Sequence, residues 1–420
     1  LLFFYPLKED QKMKKSINKI CLITILIYHV TDNLNFAQIE SSSSENTFTF
    51  QDRLSAAGIN LHASYAWDYF SNLSGGIQID DSYINNVIMN AGFDLKKIAE
   101  IDGMFFYASG LGINGGTFLE NTGAMQGISN LAGANHWKLY EAWLEQNFLN
   151  ENLSVLFGLY DLNSEFDSRE SSGIFINPSF GIGFDFAQSG ENGPSIFPYT
   201  SLALRIRYNL SESLEILTAA FDGVPGSLAN ENEFQVRWSI DEGTLLATEL
   251  IFSSSRYKYA ENEYKYSIGG WYYTSDFENK TTGIKENGNF GIYVSGEHFV
   301  YSEATSDKEG LALFGRIGIA NSSFNPSDYS ALGGINYTGI IPGRNEDVFG
   351  LAFTSIHLTD EFRDGEQFSS EFETILELTY SIQLNEWFRL QPDFQYIFNP
   401  VLAPETIHAF VAGVRTEISF

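Results

Sequence analysis

The sequence predicts an all-β protein, a closed antiparallel β-barrel that spans a membrane, and its last residues give the first reason. The stretch Ile407–Phe420 alternates apolar and polar residues up to a terminal phenylalanine. Successive side chains of a strand point to opposite faces, so this segment has one apolar face. An edge strand of a soluble sheet can show the same alternation, but chain ends are usually frayed and polar. A barrel whose last strand pairs with its first and faces lipid explains the apolar end better.

Composition and charge support the same fold class. Aromatic residues make up 15% of the chain, with 36 Phe and 22 Tyr, yet the mean hydropathy is only −0.12. A soluble protein would bury so many aromatic rings in a core, whereas a barrel presents them to lipid at every second position. The 24 Lys and Arg residues against 53 Asp and Glu residues give a formal net charge of −29. This charge disfavours nucleic acid as a partner.

The N-terminal part has the pattern of an export signal. Four lysines between residues 12 and 19 precede the apolar run Ile20–Val30, and the small residue Ala37 follows. The run is shorter than the ~20 residues that cross a bilayer. We expect translation to start at Met13 and cleavage to follow Ala37, so that residues 1–37 are removed. A buried N-terminal helix is the alternative interpretation.

The remaining chain is predicted to be one domain. Residues 38–58 form a polar lead-in with a short helical turn at Phe50–Ala57, and residues 59–420 form the barrel. The single cysteine, Cys21, lies in the export signal, so the mature chain has no disulfide and no cysteine ligand for a metal.

Alternation along the chain predicts about seventeen strands. The first starts at Ile59, and the others are Tyr83–Leu95, Met104–Ile113, Leu139–Phe148, Leu153–Leu159, Leu202–Leu210, Leu214–Phe221, Glu233–Ile240, Thr244–Ser253, Tyr264–Ser275, Asn289–Tyr301, Leu311–Ala320, Asp328–Gly339, Val348–Leu358, Glu371–Leu384, Phe388–Phe398 and the final stretch. Bacterial barrels have even numbers of strands, so at least one candidate is wrong, and we expect the error between Ser253 and Glu371.

The connections differ in length. Gly115–Ala134 and Asp161–Pro198 have no clear period, and both are predicted to be long loops. A loop as long as the second is expected to have a function. Ser211–Ser213 and Asp241–Gly243 are short, as periplasmic turns are.

Several motifs in a fixed order resemble the carbohydrate-selective porin family of the OprB type. They are Leu139–Phe148, Gly158–Phe166, Phe197-Pro198 before a strand with two arginines, Gly291–Tyr293, Leu313–Arg316, Gly339–Asp347, Glu377–Tyr380 and Trp387–Pro400. The resemblance implies a barrel of about 16 strands in the bacterial outer membrane, with inward-folded loops, through which sugars diffuse down their gradient. Leu159 stands where the family usually carries a lysine, which predicts a different charge at the constriction.

Strand phase predicts the charged residues of the lumen, because the apolar face points to lipid. They are Glu141, Glu145, Arg205, Arg207, Arg237, Arg316, Glu377, Arg389, Asp393, Arg415 and Glu417. Carboxylates accept and guanidinium groups donate hydrogen bonds in planar pairs, which suits solutes rich in hydroxyl groups. Alternatively, these charges pair across strands and only stiffen the barrel.

Aromatic residues of the second long loop are candidates for stacking on sugars. They are Tyr160, Phe166, Phe175 and Phe180, which could equally form a small core of that loop. Phe420 is predicted to be an assembly signal, since the resemblance implies that the barrel-assembly machinery reads a terminal aromatic residue.

Other functions have less support. No metal-ligand pair, nucleophile elbow or phosphate loop is evident, so we expect no enzyme activity, no metal and no cofactor. An outer-membrane enzyme that uses Ser64 and His62 is a remote alternative, and an anion-selective or general diffusion porin is a nearer one. The expected partners are small sugars, outer-membrane lipid and lipopolysaccharide. The protein is expected to be a monomer or a trimer.

Overall fold

The computed structural model describes residues 50–226, 236–254, 263–303, 309–366, 370–403, 405 and 408–420. The predicted export signal lies outside the described residues. Five short helices are present in the described chain: α1 (Phe50–Ala56), α2 (Leu95–Ala99), α3 (Leu119–Thr122), α4 (Phe184–Ala187) and α5 (Asp360–Glu366). No helix of the described residues is long and apolar enough to cross a membrane.

Sixteen antiparallel strands form a closed barrel. They are β1 (Ile59–Gly75), β2 (Asp81–Asp94), β3 (Met104–Gly115), β4 (His136–Phe148), β5 (Leu153–Tyr160), β6 (Ser201–Asn209), β7 (Leu214–Asp222), β8 (Thr244–Ser253), β9 (Tyr264–Tyr273), β12 (Phe290–Ser302), β13 (Gly310–Ala320), β14 (Ser327–Thr338), β15 (Val348–Leu358), β16 (Phe372–Asn385), β17 (Phe388–Phe398) and β18 (His408–Ser419). A separate small hairpin consists of β10 (Phe277–Glu278) and β11 (Lys285–Glu286). The predicted fold class is confirmed.

The first and last strands close the barrel. β18 pairs with β1 over most of its length, with Asp68 opposite Arg415 and Tyr65 opposite Ile418. Closure leaves no strand edge with unpaired backbone groups, which lipid could not satisfy. The predicted role of the C-terminal stretch as the closing strand is confirmed.

The side chains of each strand alternate between lipid and lumen. On β8, Leu246, Leu250 and Phe252 are exposed on the outer face. The alternate residues Ala247, Glu249 and Ile251 are buried on the inner face. This period of two follows from the geometry of the extended chain.

One predicted strand is absent. The described part of Glu233–Ile240, residues 236–240, has no strand, and β7 pairs directly with β8 from Leu214 opposite Phe252 onward. Local alternation was therefore misleading, because no neighbouring strand was free to pair with this segment. The predicted tight turn Asp241–Gly243 is wrong for the same reason, since it ends the long connection between β7 and β8. The predicted place of the counting error, between Ser253 and Glu371, is also wrong.

The two ends of the barrel differ. Tight turns at residues 149–152, 210–213 and 386–387 lie at one end, together with both ends of the barrel sheet, and we call this end the turn rim. Two of the long connections that start from the opposite end, the loop rim, contact the inner wall of the barrel. They are the β3–β4 loop (residues 116–135) and the inner loop (residues 161–200), and both fold into the lumen.

The inner loop packs against the barrel wall. Its Phe175 and Phe180 form one apolar cluster with Phe314 and Leu332 of the wall, and Phe166 and Phe186 belong to another. Apolar side chains on the inner face thus pack with those of the loop as a small core. The loops fill part of the lumen and leave the rest of it open.

Candidate functional site

Wall carboxylates hold the inner loop by its backbone. The loop has little regular structure, so many of its N–H groups need partners from outside the loop. Three glutamates supply them: Glu249 accepts from Asp167 (2.8 Å), Glu297 from Ser171 (2.8 Å), and Glu377 from Ile176 and Asn177 (2.6 and 3.0 Å). Because these carboxyl groups satisfy backbone N–H groups that the loop itself leaves unpaired, the contacts fix the path of the loop.

A buried arginine is the centre of the loop–wall contact. Arg316 on β13 contacts Asp167 through Nε (2.9 Å), and it pairs with Asp185 of α4. Its side chain is 0% exposed. Ser330 on β14 accepts a further hydrogen bond from Arg316 (3.1 Å). The guanidinium group lies against Gly183, where any side chain would collide with it.

Asp167 remains ionised in this contact. Burial by itself raises the pKa of a carboxyl group, but the charges of Arg316 and Arg169 lower the pKa of Asp167 below its usual value. Arg169 lies 2.7 Å from Asp167. The cluster therefore consists of two bases, Arg169 and Arg316, and two acids, Asp167 and Asp185, all of them shielded from water.

The β3–β4 loop is held to the barrel wall in a similar way. Glu373 accepts hydrogen bonds from the N–H groups of Met125 and Gln126, both at 2.9 Å. Asp68 accepts from Ser129 (2.6 Å) and from Arg415 (2.7 Å to each carboxylate oxygen). Each loop is thus attached to acids of the barrel wall.

One cluster of charges on the wall and the inner loop is in contact with water through three of its four members, while the fourth, Arg205, is buried. Glu145, Glu165, Arg205 and Arg207 form the arginine–glutamate patch, in which each arginine contacts both glutamates at 2.8–3.2 Å. The side chains of Arg207 and Glu165 are 34% and 21% exposed. The patch therefore offers planar donors and acceptors to a solute.

Glu165 and Arg207 of the patch line a cavity of about 790 Å³ that opens towards the turn rim. Seven glutamates and three basic residues line it: Glu151, Glu165, Glu170, Glu212, Glu215, Glu263, Glu297, Arg169, Arg207 and Lys265. Acids outnumber bases, so the cavity attracts anions less than cations.

Asp161 begins the inner loop next to this patch. It accepts a hydrogen bond from the Tyr140 hydroxyl (2.5 Å), and its own N–H donates to Glu141 (3.1 Å). Burial raises the pKa of Asp161 to about 6, although the hydrogen bonds from Tyr140 and Asn163 oppose this shift.

The predicted lumen residues divide into two groups. Water reaches Glu145, Arg207, Arg389 and Glu417, and the last two pair with each other. Loops or neighbouring side chains bury the others, which are Glu141, Arg205, Arg316, Glu377, Asp393, Arg415, Tyr160 and Phe166. The three arginines of this second group pair with carboxylates, and its two aromatic rings pack in a core, as the alternative interpretation expects. Glu141 and Glu377 instead accept hydrogen bonds from backbone N–H groups of the inner loop. Arg237 lies in the β7–β8 connection and pairs with Glu242.

Sequence reasoning missed several residues of the site. Glu249 and Glu297 lie on predicted strands, and strand phase would have found Glu249 beside the inward Ala247. Glu165, Asp167 and Asp185 lie in the irregular loop, where no period indicates which side chains point to the wall.

Among the described residues, no group of three or more acidic, histidine or cysteine side chains is arranged to hold a metal ion. His62 and Ser64 lie on the same face of β1 as Asp68, and Asp68 contacts Ser129 of the inward-folded β3–β4 loop. Both residues therefore face the lumen rather than the outer wall, where barrel hydrolases place their Ser and His.

Phe420 closes the last hydrogen-bonded pair of the barrel. It donates to Ala63 O (2.8 Å) and accepts from Ala63 N–H (3.1 Å), and its ring is 68% exposed. Deleting Phe420 is expected to lower the amount of heat-modifiable barrel in the outer membrane while export continues, because the aromatic signal and this pair are both lost. Phe420→Tyr keeps both and serves as the control. Normal insertion of the deletion variant would contradict the predicted assembly signal.

The comparisons with known proteins agree with this architecture. A family model described as carbohydrate-selective porin, OprB family, matches residues 79–420. Porin B of Pseudomonas aeruginosa is 24% identical over 86% of this chain and 88% of its own length. A putative porin, QuiX, of Acinetobacter baylyi is 22% identical over 88% of this chain and 91% of its own.

Solved structures share the fold. The high-pH structure of Pseudomonas putida OprB has a TM-score of 0.78 and 21% identity, and the match covers 88% of this chain and 96% of that one. The low-pH structure of the same protein gives a TM-score of 0.58 and covers 90% of this chain and 100% of that one. The barrel, its inward loops and the match over most of the chain lead to one conclusion: the chain belongs to the OprB family of carbohydrate-selective porins.

Proposed function

We propose that the protein lets small hydrophilic solutes, saccharides before others, diffuse passively across the outer membrane without a cofactor and without bond chemistry. The observation that carries this proposal is the arginine–glutamate patch, which keeps planar donors and acceptors in contact with the water of the lumen. A sugar presents many neutral hydroxyl groups, which can replace water on both kinds of partner.

The charge of the cavity argues against an anion-selective channel. Such a channel needs a surplus of basic side chains, whereas the lining has seven acids and three bases. The surplus of acidic side chains repels anions but does not repel neutral solutes. The arrangement of His62 and Ser64 towards the lumen likewise gives no support to an enzyme of the outer-wall type.

Further parts of the proposal rest on the sequence. Export through the signal in residues 1–37, insertion by the barrel-assembly machinery and contact with lipopolysaccharide are expected of an outer-membrane porin. A monomer and a trimer are both compatible with the closed barrel.

Flux into proteoliposomes tests the proposal. Small neutral sugars are expected to enter faster than phosphate or amino acids of similar size. A strong preference for phosphate would move the protein to the anion-porin class. Hydrolysis of lipid or glycoside that disappears in Ser64→Ala would support an enzyme instead.

Replacing Arg207 with glutamine is expected to shift ion selectivity towards cations. One positive charge in aqueous surroundings is equivalent to about 1 kcal/mol at contact distance, or roughly a fivefold change in the ratio of cation to anion permeability. Reversal potentials in a salt gradient measure this ratio. Lys96→Gln removes the same charge from an exposed pair with Asp102, outside the barrel strands, and is the matched control. Equal shifts in both variants would show that the patch does not control permeation.

A further inference from the structure

Three aromatic side chains lie together on the inner face of β3 and β4. Tyr107 stacks on Trp143 with 4.9 Å between ring centroids and 26° between the planes. Phe105 adjoins the same indole ring at 6.0 Å and 45°. We call Phe105, Tyr107 and Trp143 the aromatic platform.

Register shows that the platform faces the lumen. Phe105 lies opposite Glu145, and Tyr107 lies opposite Trp143 in the β3–β4 pair. Residues directly opposite each other share one face of a sheet. Glu145 belongs to the arginine–glutamate patch, so the platform and the patch are neighbours on the same inner wall.

Two glycines make room for these rings. Gly158 on β5 lies opposite Trp143 and has φ +147°, and a side chain there would collide with the backbone of Trp143. Gly92 on β2 lies opposite Tyr107, and a side chain there would meet the ring of Phe105. With no side chains at these positions, the rings can lie across the wall.

The aromatic platform differs from the other aromatic groups of the chain. The rings of the outer face meet lipid, and Phe166, Phe175, Phe180 and Phe186 are fully buried under the inner loop. The three platform residues are only partly buried although they face the lumen. Neighbouring side chains therefore cover only part of the surface of these three rings, and the remaining surface contacts the solution inside the barrel.

Polar groups border the platform. The indole N–H of Trp143 donates to Glu141 (3.3 Å), and Tyr160 covers another side of the ring at 6.4 Å and 89°. A flat apolar surface with a few fixed polar groups at its edge is the usual composition of a small-molecule site. The C–H face of a pyranose ring fits the rings, and its hydroxyl groups fit the neighbouring arginine–glutamate patch. Glu141 is itself buried and fixes the indole ring in place.

We propose that the aromatic platform is a stacking site at which a pyranose ring lies on Trp143 and Tyr107 while its hydroxyl groups contact the exposed members of the arginine–glutamate patch. This proposal rests on the proposed function and names the surface that would give a cyclic sugar an advantage over other neutral solutes.

The test compares glucose with sorbitol, which has similar hydroxyl groups but no ring. In planar bilayers, each solute is titrated on one side of the open channel, and the half-saturation of the current reduction is measured. The wild-type protein is expected to bind glucose more tightly than sorbitol. Trp143→Ala is expected to weaken the glucose effect roughly two- to tenfold and to leave sorbitol nearly unchanged, because only the ring loses its stacking partner.

Controls make the result specific. Trp137→Ala removes a tryptophan from the same strand at a position that is 66% exposed outside the cavity, and it should bind glucose as the wild type does. Trp143→Phe keeps a ring and should restore part of the affinity, and Tyr107→Leu gives an independent second variant. Heat-modifiability shows that each protein has assembled.

The outcomes separate this proposal from the proposed function. Faster entry of sugars than of phosphate, with equal glucose affinity in the wild type, Trp143→Ala and Tyr107→Leu, would overturn the stacking site alone. No preference for sugars in the wild-type protein would overturn the proposed function. A loss of glucose affinity in both variants, with sorbitol unaffected, supports both.

Discussion

Replacing Arg316 with methionine is expected to release the inner loop from the wall and to widen the channel. Methionine fills a similar volume but leaves Asp185 buried without its cation and Asp167 with Arg169 as its one remaining base in the cluster. Breaking a buried pair in this way costs about 3–5 kcal/mol, because one partner remains charged and out of contact with water. The loop can avoid this cost by moving so that the two aspartates reach the solution.

Single-channel conductance and the size limit for neutral solutes measure this change. Both are expected to rise in Arg316→Met, and larger oligosaccharides should then enter proteoliposomes. Arg389→Met is the matched control, because it removes an arginine of the inner wall that water already reaches, with a side chain 40% exposed. Arg316→Lys keeps the charge and should have an intermediate effect. An unchanged size limit in Arg316→Met would show that other contacts are sufficient to hold the loop.

Phe394→Arg is expected to reduce strongly the amount of barrel inserted in the outer membrane. Phe394 lies near the middle of β17 on the outer face, where it is 40% exposed. A cation that faces lipid costs ~2–4 kcal/mol at the bilayer midplane. Leu390 shares this face, but it is only 8% exposed, so Phe394 gives the clearer test.

Arg389→Ala on the same strand should behave in the opposite way. Arg389 faces the lumen and pairs with Glu417, so its loss should leave insertion intact and shift ion selectivity towards cations. Heat-modifiability and reversal potentials measure the two effects. If Arg389→Ala abolished insertion and Phe394→Arg did not, the assignment of the two faces would have to be inverted.

The prediction of individual strands succeeded where pairing and alternation agreed. Thr244–Ser253, Val348–Leu358 and Phe388–Phe398 were predicted with the bounds that the structure shows. Glu233–Ile240 has a comparable alternation, yet its described part is a loop. β7 and β8 are hydrogen-bonded to each other, so no strand between them is available to pair with this segment. A strand needs a partner, and local sequence does not contain that information.

The candidate site was less accessible to prediction than the fold. Strand phase correctly placed Arg316 and Glu377 on the inner wall, but not their contacts with a loop that is distant in sequence. Glu377 binds residues 176 and 177, about two hundred positions away. The arginine–glutamate patch joins residues of the strands to Glu165 of the inner loop. The exposure of the patch to water therefore depends on how much of the wall that loop covers.

The sequence alone determined the closed barrel, the lipid-facing side of its strands and the family, because a period of two and the order of motifs are properties of neighbouring residues. Tertiary structure decided the number of strands and which lumen charges contact water. Those charges differ in environment mainly through the inward-folded loops, and the inner loop buries Arg316 and Glu377 but leaves Arg207 exposed. The path of that loop depends on hydrogen bonds and ion pairs with strands that are distant in sequence, and a local pattern of residues does not contain these contacts.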